Sequence, residues 1–217
     1  TDDTKKSLLG QAYFFRALNY YFLAKEFGCK DGEAKDGGNG GVPIVLELYE
    51  VVDPAVVNKP RASISDVYKQ IETDLIAAID NLPESTFYVN GSRITKAAAQ
   101  ILLANVYLQW AGYPVENTAM YTKAAEMAET VINSGHALEA STDNGTLSTF
   151  NSIKSKKTKA EGSKEIIYAV EYDQNLGKGN PYINSCLTNE ATTWVGKDGT
   201  KVFKTSVLDN MYHVSDP

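Results

Sequence analysis

Two pairs of helix-forming segments follow one another along the first 135 residues of this 217-residue chain. The first member of each pair carries an alanine followed three residues later by a tyrosine, and the second carries small or apolar residues three, seven and ten positions after a tyrosine. These residues are Ala17, Tyr20, Ala104 and Tyr107 in the first members, and Tyr68, Ile71, Leu75, Ala78, Tyr121, Ala124, Ala128 and Val131 in the second. This spacing is typical of tetratricopeptide repeats, whose small residues let paired helices approach closely. The sequence therefore predicts a mainly α fold of tetratricopeptide-like helical hairpins.

Local signals set the limits of the four predicted helices, which cover residues 4–27, 64–81, 96–112 and 118–133. Ser63 and Thr95 are suited to cap the starts of the second and third helices. Gly28 and Pro83 are suited to end the first and second helices. We expect the tyrosines of the repeat to lie in the core.

The first and third helices are apolar over unusually wide arcs. A wide apolar arc predicts that the first helix packs on more than one side. The third helix is apolar almost all round, which predicts a buried, central position. Trp110 continues its apolar spacing, and we expect it to be a core residue.

Long polar segments are inserted around this helical core. Residues 28–60 form a glycine-rich insertion, and a second, shorter one falls at 112–117. Residues 136–217 are predicted to be rich in loops, with one minor β element, a strand near 165–172. We interpret residues 1–217 as a single domain, with the helical core at 1–135.

Composition excludes several classes of function. The net charge is −6, and no long basic run is present, so a nucleic acid partner is not expected. Two histidines and two cysteines, Cys29 and Cys186, supply too little material for a zinc site of four thiolates or a histidine-based catalytic centre. The two cysteines could pair with each other. We predict no cofactor, no metal and no enzymatic activity.

The glycine-rich insertion invites two further interpretations. It lacks the Lys-Ser/Thr pair of a phosphate-binding loop. Asp31, Asp36 and Asn39 carry oxygens that could bind Ca²⁺, but their spacing does not match an EF-hand, and a solvated loop is the alternative.

Several segments resemble, in the same order, the motifs of the SusD/RagB family. Residues 12–28, AYFFRALNYYFLAKEFG, resemble the helix that reads RALYYYNLVRLFG in that family. The further matching segments are 41–43, 61–68, 71–83, 91–99, 165–167 and 216–217.

This resemblance implies a non-catalytic lipoprotein on the outer-membrane surface of a Gram-negative bacterium. Such proteins bind nutrient glycans, either oligosaccharides or polysaccharides, and deliver them to a TonB-dependent transporter of the SusC type. The resemblance also implies that the chain is an internal fragment of a longer protein. Contact with the membrane would then be only through a lipid anchor outside residues 1–217.

Candidate ligand-binding residues lie in the polar segment after the predicted strand. Glycan recognition uses aromatic faces on loops, with amide and carboxylate groups alongside. Trp194 fits such a platform, although it could instead anchor its loop to the core. Tyr182 with Asn180 and Asn184 is the second candidate, and turn formation around Pro181 is its alternative.

Two alternative functions stay open at this point. The helical repeats could act as a protein-interaction scaffold, or the chain could be a peptide-binding member of the same family. A clamp for a peptide carboxylate would need basic and amide side chains on the concave face, and Lys96, Asn105 and Lys123 are the candidates.

Overall fold

The structure, a computed structural model, describes residues 2–48, 54, 58–83, 93–138 and 166–168. The chain divides into two compact units, one made of residues 1–139 with 160–169 and the other of residues 140–159 with 170–217. All the described residues belong to the first unit.

Four helices make up the regular structure of the described residues. They are α1 (Asp2–Phe27), α2 (Ile64–Asn81), α3 (Lys96–Ala111) and α4 (Met120–Ile132). The predicted caps are confirmed: Ser63 Oγ accepts a hydrogen bond from the Asp66 amide at 3.0 Å, and Thr95 Oγ1 accepts one from the Ala98 amide at 3.2 Å. These bonds satisfy backbone donors that have no partner within a first helical turn.

The first hairpin is formed by α1 and α2, which run antiparallel. Gly10, early in α1, lies against the end of α2, where a Cβ atom at this position would be 2.9 Å from Leu82 Cγ. Gly28, just after α1, lies against the start of α2, where a Cβ atom would be 2.8 Å from Ile64 Cδ1. Glycine at both ends therefore allows the close approach of the two helices.

The remaining helices continue the same arrangement. The rings of Tyr68 in α2 and Trp110 in α3 stack at a centroid distance of 5.7 Å. The predicted core position of Trp110 is confirmed, because it is 4% exposed. Ile101 near the start of α3 shares a groove with Val131 and Ile132 at the end of α4, so these helices are also antiparallel. The described unit is thus mainly α and built from helical hairpins, as predicted.

Burial at the repeated positions follows the sequence pattern except at one tyrosine. Tyr20, Tyr68 and Tyr107 are buried, as are Ala17 and Ala104. The prediction is wrong for Tyr121, which is 52% exposed. Its counterpart Tyr68 is covered by α3, whereas no described helix occupies the corresponding position beside α4.

An ion pair links the two helices of the first hairpin. Arg16 donates hydrogen bonds from Nε and Nη2 to the two carboxylate oxygens of Asp74, at 2.7 and 2.6 Å. Gln70 Nε2 donates a third bond to Asp74 at 2.9 Å. The guanidinium also lies 5.4 Å from the centre of the Tyr13 ring. The Asp74 carboxylate raises the pKa of Arg16, which keeps this side chain charged.

The outward side of α1 carries exposed apolar residues. Only one side of α1 carries its buried residues, among them Phe14, Ala17 and Tyr20, and this side faces α2. Large apolar side chains on the remaining surface are exposed, namely Leu8, Leu9, Phe15, Phe22, Leu23 and Phe27. Besides α2, the described residues that contact α1 include Val45 and Tyr168, and packing over its exposed apolar side stays a prediction. Exposed stripes of this kind are typical of interaction surfaces.

The predicted strand at 165–172 lies mostly outside the described residues. Its three described residues, 166–168, are not in a strand. Tyr168 instead packs on the helical core, where its ring lies 6.2 Å from the ring of Phe14, at an angle of 64°. This contact ties a residue late in the sequence to the first helix.

Candidate functional site

The ligand-binding residues predicted from the sequence lie outside the described residues. This holds for Trp194, Tyr182, Asn180 and Asn184, and also for Cys186. The described residues nevertheless include the start and end of the long insertion and the whole of the short one.

The two ends of the long insertion are joined by backbone hydrogen bonds between residues 41–42 and residue 62. We call this joined region the closed base. The Gly41 amide donates to the Ala62 carbonyl at 3.0 Å, and the Ala62 amide donates to the Val42 carbonyl at 3.3 Å. A Cβ atom on Gly41 would lie 2.6 Å from the Ala62 carbonyl oxygen, and one on Gly40 would overlap the Cys29 carbonyl. The two glycines are therefore required by the close approach of these backbone segments.

Polar side chains of the insertion form hydrogen bonds within the closed base. Asp31 Oδ1 accepts bonds from the amides of Gly40, at 2.6 Å, and Ile64, at 3.1 Å, so it joins the loop to the start of α2. Asn39 Nδ2 donates to the Arg61 carbonyl at 2.9 Å, and Arg61 Nη2 donates to the Phe27 carbonyl at 2.7 Å. Among the described residues no group of acidic, histidine and cysteine side chains is arranged to hold a metal ion. Asp31 and Asn39 thus have structural hydrogen bonds.

Tyr20 fixes the extended segment that follows the base. Its hydroxyl donates to the Val45 carbonyl at 3.0 Å and accepts from the Val45 amide at 2.6 Å. Because Tyr20 is buried in α1, residue 45 is held against the helical core. The bond to Tyr20 therefore fixes the position of residue 45 of the insertion relative to the first hairpin.

The two insertions meet at one exposed cluster. Tyr113, in the turn between α3 and α4, donates from its hydroxyl to Glu33 Oε2 at 2.6 Å. Lys30 Nζ forms an ion pair with Glu116 Oε2 at 2.9 Å. The Glu33 carboxylate raises the pKa of Tyr113, and the Glu116 carboxylate raises the pKa of Lys30. This cluster is not visible in the sequence because its two halves are at least 80 residues apart and share no motif.

A second polar cluster joins α2, α3 and α4. Glu72 Oε1 accepts from the Tyr107 hydroxyl at 2.7 Å and from Lys123 Nζ at 2.9 Å. Burial, together with the Glu72 carboxylate, raises the pKa of Tyr107. Outside this cluster, burial also raises the pKa of Tyr68, to about 12. Lys123, a candidate for a peptide clamp, is therefore engaged in the packing of the hairpins.

α3 and α4 form the second hairpin. An open apolar groove of about 390 Å³ lies where α3 begins and α4 ends. It is lined by Ile101, Val131, Ile132, Leu138 and Ile167. No described helix is long and apolar enough to cross a membrane.

Comparison with known proteins identifies the family that this sequence matches. A family described as SusD-like, "Starch-binding associating with outer membrane", matches residues 1–108, which is about half of the chain. The match includes the first hairpin, the closed base and most of α3.

Individual relatives agree with this match. The chain is 29% identical over 190 residues to SusD-like protein P2 of Formosa agariphila, covering 85% of this chain and 32% of that protein. A SusD-like protein of Bacteroides fragilis is 25% identical with a TM-score of 0.62, covering 87% of this chain and 31% of its own. A SusD superfamily protein of Parabacteroides distasonis is 26% identical with a TM-score of 0.60, covering 84% and 34%.

The relatives are considerably longer than this chain. The chain spans about a third of the length of each of these three proteins. The order of motifs, the helical hairpins and the matches over residues 1–108 agree with one another. The chain belongs to the SusD-like family.

Proposed function

We propose that this chain is part of a non-catalytic cell-surface protein that binds nutrient glycans, either oligosaccharides or polysaccharides, and delivers them to a TonB-dependent SusC-like transporter. The observation that carries the proposal is the match of residues 1–108 to a family described as starch-binding and associating with the outer membrane. The protein would be located at the extracellular face of that membrane, held by a lipid anchor of the full-length precursor.

Binding would proceed by stacking and hydrogen bonding. The flat C–H face of a pyranose packs on an aromatic ring, and its hydroxyls bond to planar amide and carboxylate groups. Trp194 would supply the aromatic face, and Tyr182, Asn180 and Asn184 would add further contacts. The helical hairpins would serve as the rigid scaffold for the loops that carry these residues.

Affinity electrophoresis in native gels tests this proposal. The full-length protein is run through gels that contain one soluble polysaccharide each, and we expect at least one polymer to retard it. The Trp194→Ala variant should lose most of that retardation while its melting temperature stays unchanged. Tyr121→Ala, which removes an exposed ring on α4, is the matched control and should be retarded like the wild type.

Two results would contradict the proposal at different levels. If Trp194→Ala lowers the melting temperature and leaves retardation intact, Trp194 anchors its loop and is not a ligand platform. If no polymer retards the wild-type protein, glycan binding by this protein alone is contradicted, and a peptide ligand or a site completed by the transporter becomes the hypothesis to test.

A protein-interaction function is the alternative, and the exposed apolar surface of α1 favours it. Leu8, Phe15 and Phe22 recur every seven residues along α1 and are each more than 40% exposed. A double Phe15→Ser, Phe22→Ser variant should keep the fold and lose binding to the co-expressed transporter. If glycan retardation persists in that variant, the two functions use separate surfaces.

A further inference from the structure

Tyr113 is an exposed aromatic residue whose position is fixed at both ends. Its side chain is 58% exposed, yet its hydroxyl is held by Glu33 at 2.6 Å. Tyrosine has few rotatable bonds, and a hydroxyl already held in place reduces its freedom further. An immobilised ring loses little conformational entropy when a ligand stacks on it.

The backbone beneath the ring is also tied down. Gln109 Nε2 donates to the Tyr113 carbonyl at 3.2 Å, the Glu116 amide donates to the Gly112 carbonyl at 2.7 Å, and the Asn117 amide donates to the Trp110 carbonyl at 3.2 Å. Trp110 is buried, so the turn rests on the core of the molecule.

Charged groups surround the ring on the surface. The ion pair of Lys30 with Glu116, at 2.9 Å, joins the same two segments as the bond of Tyr113 to Glu33, with three residues separating the two contacts on each segment. Carboxylates accept up to four hydrogen bonds, and an ammonium group donates three. Groups in this cluster therefore have capacity for the hydroxyls of a ligand beyond the bonds that they make to each other.

We propose that Tyr113 is a stacking platform for a pyranose ring of the glycan, with Glu33, Glu116 and Lys30 binding its hydroxyls. This proposal rests on the glycan-binding function proposed above and adds a site formed by the two insertions. The combination of an aromatic face with carboxylate and ammonium groups matches the two kinds of surface that a sugar presents.

Substitutions at position 113 of the full-length protein test the site. The probe is the soluble polysaccharide that most retards the wild type, and affinities are measured by the retardation in native gels. Tyr113→Ala should weaken binding about three- to tenfold, in line with the loss of one aromatic stacking contact. Tyr113→Phe and Tyr113→Trp should stay within about threefold of the wild type, because they keep the ring.

A purely structural role of Tyr113 would give a different pattern. If the hydroxyl bond to Glu33 is what matters, Tyr113→Phe should lose as much affinity as Tyr113→Ala, and this result would overturn the proposal. Equal retardation of the wild type and Tyr113→Ala would also overturn it while leaving glycan binding intact. No retardation of the wild type by any polymer would overturn both. Melting temperatures establish that each variant is folded, and Tyr121→Ala is the control for loss of an exposed tyrosine.

Discussion

Asp74 is 1% exposed within the first hairpin, and its carboxylate receives hydrogen bonds from Arg16 and Gln70. A buried carboxylate is costly unless such partners compensate for its lost hydration. Arg16 lies in α1 and Asp74 in α2, so the pair links residues 58 positions apart in the sequence. The two-bond geometry fixes the relative position of the helices more narrowly than apolar packing does.

Removal of the carboxylate should therefore destabilise the hairpin. We expect Asp74→Ala to lower the free energy of unfolding by about 3 kcal/mol. Arg16 would lose its hydrogen-bond acceptor, and the space of the buried carboxylate would be left unfilled. Urea denaturation followed by circular dichroism measures the change.

An exposed ion pair on the same helix provides the control. Lys69 pairs with Asp66 at 2.9 Å, and both side chains are more than half exposed. Lys69→Ala should change stability by about 0.5 kcal/mol or less. Similar effects of the two substitutions would mean that the buried pair contributes no more than a surface pair.

Among the elements, α2 depends most visibly on the loop that precedes it. Its first amide, that of Ile64, is bound by Asp31, and Ser63 caps the Asp66 amide. The same loop is closed by the pairing of Gly41 and Ala62. The start of the helix and the base of the insertion are thus one structural unit.

A methyl group at Gly41 tests this unit. Its Cβ would lie 2.6 and 2.7 Å from the carbonyl oxygens of Ala62 and Ser63, so the backbone must shift. We expect Gly41→Ala to lower the free energy of unfolding by about 1–3 kcal/mol, as overpacking does elsewhere. Gly112→Ala is the control, because its Cβ would meet its nearest atom at 3.8 Å. Equal melting temperatures for the two variants would refute the steric argument.

For the molecule as a whole, the contact of Tyr168 with Phe14 joins distant parts of the chain. Phe14 is 3% exposed, and Tyr168 covers part of the core from a position more than 150 residues later. The first compact unit therefore includes residues 160–169 as well as residues 1–139.

Loss of this contact should be felt by the whole unit. Tyr168→Ala should lower the free energy of unfolding by about 1–2 kcal/mol, from lost apolar burial and a lost ring contact. Chemical denaturation with a single cooperative transition measures it, and Tyr121→Ala should leave the midpoint unchanged. A neutral Tyr168→Ala would show that the segment does not contribute to the core.

The helices of this fold were accessible from sequence because their signals are local. Ser63 and Thr95 mark helix starts by their own chemistry, and the spacing from Tyr68 to Ala78 defines a face without reference to other segments. The repeat then predicts which helices pair.

Features that depend on distant segments were not accessible in this way. Tyr121 occupies the same repeat position as Tyr68. It would be buried only if another helix packed beside it, and the spacing of residues within α4 does not show whether one does. Phe15 and Phe14 are equally apolar, and only the position of α2 decides that one is exposed and the other buried. The contact of Tyr113 with Glu33 spans 80 residues and could be recognised only from the fold.

The closed base of the long insertion has an evolutionary consequence. Residues 46–60 lie between two points that are fixed to the helical core, because Val45 bonds to Tyr20 and Arg61 bonds to the Phe27 carbonyl. The entropic cost of a longer loop between fixed ends rises by only about 0.6 kcal/mol for each doubling of its length. Related lineages could therefore exchange, lengthen or shorten this segment as a cassette while the helical hairpin is inherited unchanged.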